Sequence, residues 1–121
     1  MSHRDFILAV HDKLDEMRKY GPKNAWLYLP CGAFYFRLTR HVCAGKAAST
    51  IDLANFSIAP AFQSKGYFKM LIWALEQYAI NNGIQAVYFE SVLNPIVDRY
   101  LRSLRYEEAG QHAIDCLYRR V

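Results

Sequence analysis

The sequence predicts an α/β (α+β) domain on a mixed sheet, and three observations carry that prediction. Residues 25–29 and 33–42 read as strands, and short turn signals join them to a third strand at residues 50–58, as in an antiparallel meander. Residues 50–58 are followed by a long amphipathic helix and then by another strand at residues 86–92. A strand, a helix and a strand in that order imply a right-handed crossover and a parallel pair. Two more segments, at residues 3–20 and 94–105, carry apolar residues at helical spacing.

Composition bounds the answer. The chain has 121 residues, 53% of them hydrophobic and 15% aromatic. That is enough for one domain, residues 1–121, with a real core, and it excludes a disordered chain. The net charge of +4 suits an anionic ligand. Cys31, Cys43 and Cys116 are odd in number and form no CxxC, so buried reduced thiols are expected rather than a disulfide frame. His3, His11, His41 and His112 show no metal spacing, and no metal is expected. The apolar run at residues 6–10 is too short for a signal peptide, and no run approaches a membrane span. A cytoplasmic protein without a membrane partner is the expectation.

The first helix, residues 3–20, begins at a capping-box-like Ser2 and Asp5, and Phe6, Val10, Leu14 and Met17 line one face. Asp15 and Lys19 are four apart, an exposed supporting pair. Gly21-Pro22 stops the helix. After the strands at residues 25–29 and 33–42, residues 44–49 read as a connection. Arg37, Arg40, His41 and Lys46 make this region basic, as a solvated face or as a contact for phosphates or an acidic acceptor. Asn81-Asn82-Gly83 ends the second helix, and Asn94-Pro95 caps and opens the third, whose stripe is Ile96, Val97, Tyr100, Leu101 and Leu104. One strand closes the chain, with Ile114, Cys116 and Tyr118 alternating against Ala113, Asp115 and Leu117 and pairing antiparallel with the Val87 strand. Arg119 and Arg120 read as solvated end charges.

The most informative stretch is the strand, loop and helix from Thr50 to Tyr78. Ala59-Pro60 ends the strand, because Pro donates no ladder hydrogen bond. Gly66 opens a helix with Phe68, Leu71, Ile72, Leu75 and Ala79 on one face. First-turn N–H groups lack helical partners, so such a junction favours an anion, and a phosphate cradle is the reading.

The stretch Gln63-Ser64-Lys65-Gly66-Tyr67-Phe68 resembles the Gln/Arg-x-x-Gly-x-Gly/Ala motif of the GNAT superfamily of N-acetyltransferases, with Phe68 where a small residue is usual. A second segment, from Asn94 to Tyr106, resembles the later motif of that family, an Asn, a helix and Tyr-x-x-x-Gly-Phe. Leu101 stands at the Tyr position there, Tyr100 lies one residue earlier, and Arg105 replaces the Gly. The resemblance covers residues 25–121, and the part before it is shorter than the family's. It implies a mostly antiparallel, mixed central sheet of about six strands flanked by about three helices. It also implies acetyl-CoA as co-substrate and an amine as acceptor, attacked directly in a ternary complex.

By that resemblance the backbone N–H groups of Gln63, Ser64, Lys65, Gly66, Tyr67 and Phe68 hold the pyrophosphate, with Lys65 or Lys69 adding charge. A backbone N–H near Ile58 meets the thioester carbonyl, and Asn94 holds the pantetheine arm. Asp52 stands where some relatives carry a catalytic Glu, and burial would raise its pKa into a useful range. Glu90 is the other candidate carboxylate and Tyr100 the candidate acid. The alternative is a GNAT-like module that binds CoA or a protein and no longer turns over. No recognition helix or RNA-binding signature points to a nucleic acid partner. Tyr28, Tyr35 and Trp73 are compatible with a homodimer surface and equally with core packing.

Overall fold

The computed structural model describes residues 1–110 and 113–121, so His112 lies outside the described residues. The described residues form helix α1 (His3–Tyr20), strands β1 (Asn24–Leu29), β2 (Gly32–Cys43) and β3 (Lys46–Ile58), helix α2 (Tyr67–Asn81), strand β4 (Ala86–Phe89), helix α3 (Pro95–Ser103) and strands β5 (Glu107–Glu108) and β6 (Leu117–Arg120). One sheet holds all six strands in the order β1-β2-β3-β4-β6-β5. Only β3 and β4 pair in parallel, across the α2 crossover, and the other neighbours are antiparallel. This is the mixed, mostly antiparallel architecture that the sequence implies.

Alternation divides the sheet into two faces. Phe34, Phe36, Ile51, Leu53, Val87 and Phe89 point to the helices. There they meet Phe6, Val10, Leu14 and Met17 of α1, the expected stripe. Ser2 caps α1 by accepting from the Asp5 N–H at 3.0 Å, also as expected. Among the described residues, no helix covers the β2–β3 part of the other face. Cys43, Ala48, Ala86, Tyr88, Ala109 and Tyr118 form a second, smaller cluster there.

Several expectations are corrected. The connection at residues 44–49 is only a two-residue turn, Ala44-Gly45, with φ of 49° and 84°. Such left-handed pairs suit the twist of a tight hairpin, so β2 and β3 run on to Cys43 and from Lys46. Asp15 accepts from the Tyr78 hydroxyl at 2.7 Å, which takes it away from Lys19. The stripe of α3 is only partly buried. Leu101 is fully covered, but Ile96 is exposed because the first turn of α3 lies beside an open cleft. The tail forms two strands, not one. Ile114 is exposed and lies outside both, and β6 pairs Arg119 against Val87. Arg119 is not a free end charge, since it donates to Glu76 at 3.0 Å beside the buried Tyr106 hydroxyl.

Candidate functional site

β3 and β4 are paired only from Thr50–Leu53 against Ala86–Phe89, and two local features then drive them apart. Leu53 pairs with Phe36 and Asn55 with Tyr35, so Ala54 is an extra residue in β3. An extra residue bends its strand and increases its twist. On the other side, the Glu90 N–H makes the last bond, 3.1 Å to the Leu53 carbonyl, and Ser91 turns away with φ of 51°. Between the diverging ends lies a cleft of about 870 Å³. That is the size range of small-molecule sites. Asn55, Phe56, Ile58, Gln63, Ser64, Phe68, Phe89, Glu90 and Asn94 are among its lining.

One end of the cleft is the loop into α2. Gly66 is the N-cap of α2 in the left-handed conformation, φ 84°, and Ser64 also has a positive φ. Among the described residues, the N–H groups of Ser64, Lys65, Gly66, Tyr67, Phe68 and Lys69 have no hydrogen-bond partner, and the helical ladder starts with Met70 donating to Gly66 at 3.0 Å. Gln63 differs from the expectation. The 3-10 turn Pro60–Phe62 takes its N–H, 3.3 Å to the Pro60 carbonyl, and its side chain donates to the Ile58 carbonyl at 3.0 Å. The row of free amides therefore runs one residue later, from Ser64 to Lys69. The start of α1 buttresses it. His3 Nε2 lies 2.7 Å from the Lys65 carbonyl, and the Tyr67 hydroxyl donates to the Met1 carbonyl. A Cβ on Gly66 would come within 3.1 Å of the His3 ring.

Along the cleft, the Ala59 N–H donates back toward β2, 2.8 Å to the Cys31 carbonyl. Strand alternation then points the Ile58 N–H the other way, toward the opening. Asn94 spends its Oδ1 on the cap of α3, accepting from Ile96 at 2.8 Å and Val97 at 3.4 Å. Its side-chain NH₂ has no partner among the described residues. Phe68 packs its ring 5.2 Å from Phe56 and forms part of the cleft wall. Tyr100 lines a neighbouring hollow with Gly66, Phe68 and Lys69, not the cleft that Glu90 lines.

The structure brings the two predicted carboxylates together and adds partners the sequence reading missed. Asp52 is fully buried on the helix-free face. It takes the Thr50 hydroxyl at 2.6 Å on one oxygen and lies 2.5 Å from His41 Nε2 on the other. His41, Asp52 and Glu90 hold their polar atoms within 4.8 Å of one another. Arg37 Nε approaches Glu90 at 3.3 Å as an ion pair without hydrogen-bond alignment. His41 is stacked on Tyr88, with centroids 3.8 Å apart and planes 9° apart. Register is the signal that would have found them. With the turn at Ala44-Gly45, Arg37 falls opposite Asp52, and His41 shares its face.

Burial pushes the Asp52 carboxyl up from 3.8 to about 7, and the neighbouring Glu90 carboxyl pushes the same way, against the hydrogen bonds with Thr50 and His41. Asp52 thus binds its proton more tightly folded than unfolded. The stability this adds is full below about pH 4 and is lost as the pH rises through about 7. Asp52→Asn removes that dependence. The melting temperature of wild type relative to the variant should therefore fall between roughly pH 4 and pH 7. A difference that stays constant across that range would contradict the raised value.

With this geometry in view, comparison with known proteins gives three findings. The model of the acetyltransferase (GNAT) family matches residues 15–103. No curated protein matches the sequence. Among solved structures, AtaT complexed with acetyl-methionyl-tRNAfMet is similar with a TM-score of 0.62 and 12% identity over 88% of this chain and 75% of that one. A mutant AtaT toxin bound to the C-terminus of the antitoxin AtaR gives 0.58 and 17%, over 74% of this chain and 58% of that one. The KacTA–DNA complex gives 0.58 and 14%, over 90% and 79%. The chain thus spans less than two thirds of the length of the antitoxin-bound AtaT chain, and at these identities the likeness is one of fold.

Proposed function

The chain belongs to the GNAT acetyltransferase family, and we propose that it transfers an acetyl group from acetyl-CoA to an amine by direct attack. The observation that carries this reading is one cleft with unpaired backbone amides at one end and a carboxylate at the other. Acetyl-CoA supplies the activated acetyl group when it is bound. The amides of residues 64–69 suit its pyrophosphate, with the Lys65 and Lys69 ammonium groups beside them. The side-chain NH₂ of Asn94, which lines the cleft, donates to an amide carbonyl of the pantetheine arm. The Ile58 N–H is aimed where it can polarise a carbonyl in the opening. Glu90 lines the cleft and takes the proton of the incoming amine, with Asp52 behind it. Tyr100 walls the cradle side, and no proton transfer is assigned to it.

Lys65→Glu tests the cradle. Lys65 is exposed, so the change adds a negative charge without the left-handed strain that any side chain at Gly66 would meet. With acetyl-CoA near 100 times its dissociation constant, wild type should gain about 2.7 kcal/mol. For a domain of this size that is a shift of roughly 10 °C. The shift should largely vanish in Lys65→Glu. No shift in wild type would sink the reading.

One observation favours a second reading, a CoA-binding module without turnover. The motif Tyr is Leu101, fully buried, and supplies no hydroxyl. Product formation over an amine panel separates the two, since a thermal shift without product identifies the module. The AtaT complex with acetyl-methionyl-tRNAfMet puts an aminoacyl amine carried on tRNA first in that panel. The same trial addresses the expectation against a nucleic acid partner.

A further inference from the structure

We propose that Glu90, Asp52 and His41 form a proton file leading from the cleft along the helix-free face of the sheet, with His41 as its outlet. The proposal rests on the acetyl-transfer reading of the cleft. An amine that arrives as ammonium must lose two protons as the C–N bond forms and the C–S bond breaks. One ends on the departing sulfur. The other must leave the site, and a filled cleft leaves little water to carry it.

The three groups are placed in sequence for that task. Glu90 lines the cleft where β4 leaves β3. Asp52 has no solvent contact of its own, so a proton it receives can pass only to a neighbour. His41 is that neighbour, and 29% of its side chain is exposed. Stacking on Tyr88 fixes the imidazole plane with Nε2 toward Asp52. Nδ1 has no partner among the described residues. In one transfer Glu90 passes a proton to Asp52, Asp52 passes its own to His41 Nε2, and Nδ1–H releases one to water. No net charge is left on the buried carboxyl, which avoids the cost of an unpaired buried charge. The raised proton affinity of Asp52 agrees with a site that is protonated near neutral pH.

The other groups around the file are Arg37 of β2 beside Glu90, Thr50 of β3 and Tyr88 of β4, with Cys43 and Cys116 nearby and Arg120 next to Cys43. A divalent cation is the competing occupant, since His41, Asp52 and Glu90 are all metal-ligating types. Two contacts argue against it. His41 and Asp52 are already in direct contact at 2.5 Å, and Arg37 already supplies positive charge at Glu90.

The test uses the whole chain in two parts. In ligand-free protein, ¹⁵N and ¹³C NMR should show the His41 ring and the Asp52 carboxyl titrating together, and Asp52→Asn should move the His41 midpoint. In turnover, His41→Gln should keep the acetyl-CoA thermal shift but slow acetylation about tenfold or more, with an altered pH profile. In His41→Ala, imidazole buffer should restore rate that a non-basic buffer of equal strength does not. The proposal is overturned if the His41 titration ignores Asp52→Asn, if His41→Gln keeps the wild-type pH profile, or if Zn²⁺ alone binds stoichiometrically with the His41 resonances as its site. Coupled titration in a protein that acetylates no amine would support the file and count against the acetyl-transfer reading instead.

Discussion

Glu90→Gln is expected to lower kcat/KM for amine acetylation by about 10²- to 10⁴-fold, the range for loss of a positioned general base. The substitution is nearly isosteric, so the cleft keeps its shape and only the proton acceptor is lost. Its ion pair with Arg37 is part-exposed, with side-chain accessibilities of 24% and 40%. Such a pair is worth under about 1 kcal/mol, so the fold should barely register the change. The cradle amides lie at the other end of the cleft, and the acetyl-CoA thermal shift should therefore persist. Measuring initial rates and melting curves on the same preparation separates chemistry from folding. Wild-type turnover in Glu90→Gln would move the base to water or another group. Loss of both turnover and shift would point to a misfolded variant.

The second large effect is on stability. Phe6→Ala should destabilise the protein by about 3–5 kcal/mol, as for other buried aromatic truncations. Its ring is fully buried, with edge contacts to Phe34 at 5.4 Å and Tyr67 at 5.5 Å. The melting temperature should drop by roughly 10–20 °C. Leu8→Ala, on the exposed side of the same helix, is the control, and should stay within about 0.5 kcal/mol. Phe6 also ties the sheet to the start of α1, where His3 buttresses the Lys65 carbonyl. Acetyl-CoA binding should therefore weaken in Phe6→Ala even at temperatures where the variant is folded. A variant as unstable as expected but with unchanged affinity would show that the cradle does not depend on α1.

The helix stripes and most of the caps were legible in the sequence. The α1 stripe from Phe6 to Met17, the Ser2 and Asn94 caps, the end of β3 near Pro60 and the opening of α2 at Gly66 follow from helical period, capping preference and the ladder donor that proline lacks. So does the parallel pair across α2, because chain order and handedness leave little alternative. Asp52 and Glu90 could be singled out as carboxylates, but not as neighbours.

What brings them together is register, which is a property of two strands at once. A two-residue turn at Ala44-Gly45 sets Arg37 against Asp52, puts His41 on the same face and leaves Ala54 as an extra residue. Reading residues 44–49 as one connection left that register undefined and the basic residues unattached. The opening of the cleft is likewise tertiary, since a bulge on β3 and a turn after Glu90 act on opposite walls. The raised proton affinity of Asp52 comes from burial by the assembled sheet, which no single segment encodes.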